Sequence, residues 1–184
     1  MENNTHSTSS AVRWMSRFSL IVWTACLIAV LLRILTIHPL DPYATPFIDA
    51  FENIFLTLLC ISAFECIFLL PLKPPSKEEL AHQLPATFLD SFLSASRLIS
   101  WICMFAGAAA VHFLGGLPMM QDGAYFILSG NDIVREIPPK WFAALSYLVS
   151  PIADEVYYDS ISQMWWMLML SCEAAYKLRR HYRI

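Results

Sequence analysis

Four long apolar stretches, residues 18–37, 47–70, 98–117 and 160–177, dominate this chain. At 1.5 Å of rise per residue, a helix needs about 20 such residues to cross ~30 Å of hydrocarbon. Counting crossings in order places the N-terminus, the 71–97 loop and the C-terminus on one side. That side carries Arg13, Arg17, Lys73, Lys77, Arg97, Lys177, Arg179, Arg180 and Arg183, and the other side only Arg135 and Lys140. Nine cations against two is a positive-inside bias, so both termini are expected in the cytoplasm. The membrane expected is a bacterial inner (plasma) membrane.

Composition agrees with a membrane class. Only 15% of the residues are charged and 57% are apolar, whereas soluble domains carry about 25% charged residues. The basic C-terminal run Lys177–Arg183 directly follows a span, where it acts as a stop-transfer anchor beside anionic lipid. No basic stripe of nucleic-acid-binding size exists, and nucleic acid is not an expected partner. All five cysteines, Cys26, Cys60, Cys66, Cys103 and Cys172, fall inside the stretches, and none forms a CxxC pair. They read as small apolar residues, not as a disulfide framework or a metal site. No metal and no cofactor is expected.

Residues 1–12 are polar and expected to be a disordered cytoplasmic tail, leaving 13–184 as a single four-span domain. Pro39 and Pro42 mark a short turn after the first span, and Pro71 ends the second. Ser76–Glu79 and Thr87–Asp90 both fit a helix capping box. The second of these opens a helix at the cytoplasmic interface that leads into the third span. In that span Ser96, Ser100, Cys103, Gly107 and Ala110 share one face, and small faces let helices approach closely. The third span is therefore expected at the centre of the bundle. In the acidic outer loop, Lys140–Ile152 reads as an amphipathic helix lying on the membrane surface, with a re-entrant segment as the alternative. The fold class expected is all-α: a four-helix membrane bundle with short interfacial amphipathic helices.

Ionisable groups inside hydrocarbon face the bundle interior and need partners. From the helical rise, Arg33, Glu52 and His112 fall ~7–10 Å to the outer side of the midplane, and Glu65 and Glu173 ~7–10 Å to the inner side. Arg33 and Glu52, on adjacent helices, are candidates for an ion pair or for a binding site completed by His112. Glu65 and Glu173 at equal depth could share a proton, bind a cation or accept an amine. Alternatively, each reaches for the cytoplasmic cations Arg17, Arg97 or Lys177.

No HExxH, GxSxG or phosphate-binding glycine loop is present, and no catalytic residue is nominated. The function expected is a non-catalytic accessory, assembly or immunity-type subunit of a larger membrane complex, with the bilayer and other membrane subunits as partners. A small proton-coupled carrier using the intramembrane carboxylates is the alternative, and a membrane enzyme acting on a lipid-like substrate is a third. Converging carboxylates favour the carrier; carboxylates splayed to separate partners favour the subunit. Reporter fusions test the topology: fusions in the 71–97 loop should report cytoplasm, and fusions in the 118–159 loop the opposite side.

Overall fold

A computed structural model describes residues 10–41, 47–69, 87–153, 156–157 and 160–182. Four long helices pack together: α1 (Ser10–Thr36), α2 (Ile48–Leu69), α3 (Phe88–Leu114) and α5 (Ser160–Tyr182). A short helix, α4 (Pro139–Leu145), and five strands lie between α3 and α5. Three helices are long and apolar enough to cross a membrane, within Trp14–Thr36, Asp49–Leu69 and Phe88–Leu114. Paired contacts give the directions. Ser19 meets Glu65 and Cys26 meets Ser62, so α1 and α2 are antiparallel. Asp90 meets Arg179 and Arg97 meets Glu173, so α3 and α5 are antiparallel too.

The boundaries follow from local chemistry. α1 starts at Ser10, inside the segment expected to be a tail, and stops before Pro39. α3 begins earlier than the apolar stretch: Thr87 caps it, its hydroxyl accepting from Asp90 N while the Asp90 side chain accepts from Thr87 N. The segment expected to lie at the interface and the third span are therefore one continuous helix. α3 ends at Gly115, whose φ of 78° is left-handed and suits glycine. The Ser76–Glu79 capping box lies outside the described residues.

Two expectations are corrected. The first is centrality. The helix packed extensively against all three other long helices is α5, not α3. Ile161, Met164, Met167, Leu168, Met169, Cys172, Ala174, Ala175 and Leu178 are buried around nearly its whole circumference. Its small residues Ser171, Cys172, Ala174 and Ala175 let neighbours approach on more than one side. The small face of α3 is still a contact face, with Ser96, Ser100 and Gly107 buried, but it serves one side of a peripheral helix.

The second correction is the all-α class. Residues 117–157 carry a five-stranded sheet in the order β3-β2-β1-β4-β5. β1 (Leu117–Gln121), β2 (Ala124–Ser129) and β3 (Asp132–Glu136) form an antiparallel meander. β4 (Ile152–Ala153) runs parallel to β1, and β5 (Val156–Tyr157) closes the far edge. The first turn has Asp122 at φ 51° and Gly123 at φ 77°, the pair of positive angles that a type I′ hairpin turn requires. Asp-Gly between runs rich in aromatic and branched residues is a strong hairpin signal. The apolar content of those runs suits a sheet packed on the helix ends: Ile127, Ile137, Phe142 and Leu145 form a core with Ala110 and Leu114 of α3. The Tyr125 hydroxyl donates to Leu40 O at 3.2 Å, tying the sheet to the chain after α1.

The expected 140–152 helix is short for the same reason. It stops at Leu145, and the following turn descends between α3 and α5 instead of lying flat. Trp165 Nε1 donates to Tyr147 O at 3.0 Å, and Ser162 N donates to Ser150 Oγ at 3.1 Å. A Cβ on Gly107 would meet Leu148 O at 2.7 Å. Gly107 is seven residues before the end of α3, so the turn reaches ~10 Å below that end.

Gly107→Ala should therefore force the wedge off α3 and cost about 1–3 kcal/mol, the usual range for overpacking. Thermal unfolding in detergent checks this, with Ala109→Ser at an exposed position of the same helix as the unaffected control.

Candidate functional site

The polar residues inside the helix cluster fall into an outer group near the sheet and an inner group near the basic end. In the outer group, the side chain of Arg33 in the last turn of α1 is 3% exposed. Its guanidinium lies 5.8 Å from the centroid of the Phe51 ring on α2, a cation–π distance. The charge of Glu52, next to Phe51, also acts on it. Phe51 and Glu52 are adjacent on the first turns of α2, which the antiparallel hairpin brings level with the end of α1. His112 does not share this environment: it is exposed near the end of α3, its ring edge-on to Phe113 at 5.6 Å.

The inner group is larger than the sequence reading foresaw. α1 contributes Ser16, Ser19, Trp23 and Cys26, all buried and spaced three, four and three apart on one face. Ser19 Oγ donates to Glu65 Oε1 of α2 at 2.9 Å. Cys26 Sγ lies 3.9 Å from Ser62 Oγ, also of α2. Trp23 Nε1 donates to Ser96 Oγ of α3 at 3.4 Å, and that hydroxyl lies 3.3 Å from Cys172 Sγ of α5. Cys66 Sγ donates to Leu170 O of α5 at 3.3 Å. A seam of hydroxyl and thiol groups thus links all four long helices. Such interhelical bonds average about 0.6 kcal/mol each inside a membrane, so the seam sets register and rotation more than it adds stability.

Glu65 and Glu173 both lie near the Cys66 thiol. They nonetheless have different partners. Glu173 pairs with Arg97 Nε of α3 at 2.5 Å, and the Arg97 guanidinium sits 5.0 Å from the Tyr176 ring centroid. Glu65 takes the hydroxyl of Ser19. Arg17 and Lys177, the other cations considered for these carboxylates, are exposed.

At the basic end, Arg179 clamps α5 to the start of α3. Its Nε pairs with Asp90 Oδ1, and its Nη2 donates to Thr87 Oγ1 at 2.9 Å. The Thr87 hydroxyl in turn donates to Asp90 Oδ2 at 2.6 Å. The capping box was legible from its residues; its third member was not, because Arg179 is 92 positions from Thr87. The serines of α1 did carry a signal, since polar residues recurring at helical spacing within an apolar stretch mark an inward face.

Among the described residues no cluster of His, Cys, Asp and Glu could hold a metal ion. A cleft of about 460 Å³ opens on the sheet, lined by Gly123–Tyr125 and Glu136–Pro139; it contains none of Arg33, Glu52, Glu65, His112 and Glu173.

Asp90→Ala should remove the side-chain half of the capping box and the clamp to Arg179, leaving the bond from residue 90 N to Thr87 Oγ1, and cost about 1–2 kcal/mol. Arg179→Ala should cost less, and the double change should cost clearly less than the sum of the two, because they share one interaction. Thermal or denaturant unfolding of the four proteins measures this.

No family model matches the chain, and no curated protein or solved structure does either.

Proposed function

We propose that this chain is a four-span membrane subunit with both termini in the cytoplasm. It works by contact within or beside a larger membrane complex, as an accessory, assembly or immunity-type component of a bacterial inner membrane. In this reading α5 is the fourth crossing, shielded by the three apolar helices, with Lys177 and Arg179 at the cytoplasmic surface.

The observation that carries the reading is the separation of the two inner carboxylates. Glu173 goes to Arg97 and Glu65 to Ser19, each bond joining two helices. Carboxylates committed to different partners hold helices together. A carrier would instead converge them on a substrate path. A second feature supports contact as the mode of action: α2 and α3 turn apolar side chains outward, including Phe64, Ile67, Phe68, Leu98, Ile102 and Phe105. Such faces accept lipid or the span of another subunit equally well.

The test is purification of the tagged full-length chain from native membranes in mild detergent. Expected is a membrane protein that co-elutes in fixed ratio through size exclusion and captures this chain when it is tagged in turn. If instead the purified chain alone carries protons or solute across liposomes, the subunit reading fails.

A further inference from the structure

Glu65 and Glu173, the two inner carboxylates, receive different electrostatic treatment. Glu173 has a cation, Arg97, at 2.5 Å. Glu65 has one hydroxyl donor, Ser19 Oγ at 2.9 Å from Oε1. Its other oxygen, Oε2, is buried and has no hydrogen-bond partner among the described residues. An ionised carboxylate offers about four acceptor sites and needs donors or a counter-charge when buried. One neutral hydroxyl does not supply that.

The groups packed around Glu65 do not supply it either. From α1 come Ser19 and the nearby thiol of Cys26, neither of them a cation. From α2 comes Cys66, whose thiol is given to Leu170 O. From α5 come Glu173, a second negative charge, and Lys177, both acting on Cys66. Lys177 is exposed, so solvent screens it. Arg97 of α3 is committed to Glu173. Among the described residues, no Lys or Arg forms an ion pair with Glu65.

We propose that Glu65 is a proton-binding site within the helix cluster, its carboxyl neutral at pH 7 with the proton on Oε2 and the Ser19 hydrogen bond on Oε1. The bound cation is a proton and not a metal ion because Oε2 is sealed by its neighbours, leaving no water-sized space beside it. A neutral carboxyl leaves one donor unsatisfied, a far smaller cost than an uncompensated charge. This assignment goes beyond the subunit reading and does not depend on it: a contact subunit and a carrier could each hold such a group.

Infrared spectroscopy of the full-length protein reconstituted in lipid tests it. A protonated-carboxyl C=O stretch should be present at pH 7, lost in Glu65→Gln and retained in Glu173→Gln. A band unchanged in folded Glu65→Gln overturns the proposal, as does a band that disappears when sodium or potassium is raised. Should Glu65→Gln fail to fold, Ser19→Ala is read in its place: loss of the hydroxyl donated to Oε1 should shift the carboxyl C=O stretch to higher frequency. An unshifted band in folded Ser19→Ala overturns the proposal.

Discussion

The burial of α5 is the constraint on which the rest of the structure depends. Three apolar helices enclose a helix that carries Glu173, Lys177 and Arg179. Between helices in lipid there is no hydrophobic drive to associate, so close contact and hydrogen bonds must hold them. α5 meets that demand with Ser171, Cys172, Ala174 and Ala175, which bring backbones near, and with polar contacts to α2 and α3. Cys172 meets Ser96 of α3, Leu170 O receives the thiol of Cys66 from α2, and Glu173 and Arg179 reach Arg97 and Asp90 of α3. Ile161, Met164, Trp165 and Leu168 fill the remaining space in a core shared with α1 and α2.

The sheet depends on the same helix. The chain between α3 and α5 must return to the helix ends, and it does so through the wedge at Tyr147–Ser150. That wedge is held by Trp165 and Ser162 of α5 on one side and admitted by Gly107 of α3 on the other. The parallel pairing of Met119 with Ile152 then brings the end of this excursion back beside its beginning. α4 covers the sheet through Phe142, whose ring lies 4.7 Å from that of Tyr125. The helices and the sheet are therefore one packed unit, with the polar seam at one end and the sheet at the other.

Between those ends the molecule handles its buried ionisable groups in three ways. Arg33 is sheltered by an aromatic face and the charge of Glu52. Glu173 is matched by a guanidinium. Glu65 is given a hydroxyl. The first two make the groups parts of the packing, which is why contact with other subunits is the function we favour. The third is the exception: among the described residues, Glu65 has a hydroxyl donor and no ion-pair partner.

The sequence by itself determined what local chemistry controls. Apolar length marked the helices, Pro39 marked the end of α1, and Thr87 with Asp90 formed a capping box because both members lie within one turn. The helical rise put Glu65 and Glu173 near the same level, but it did not choose their partners. The Asp122-Gly123 turn was equally local, but its strands were masked by an apolar content that suited a membrane loop as well as a sheet. Only the tertiary structure decided which helix is central, because small residues on α3 and on α5 predict close contact equally and only the assembled packing shows which helix is enclosed. It also decided that Arg97 goes to Glu173 and Ser19 to Glu65. Those choices depend on the rotation of four helices about their axes, a quantity that sequence spacing limits to a face but does not pair.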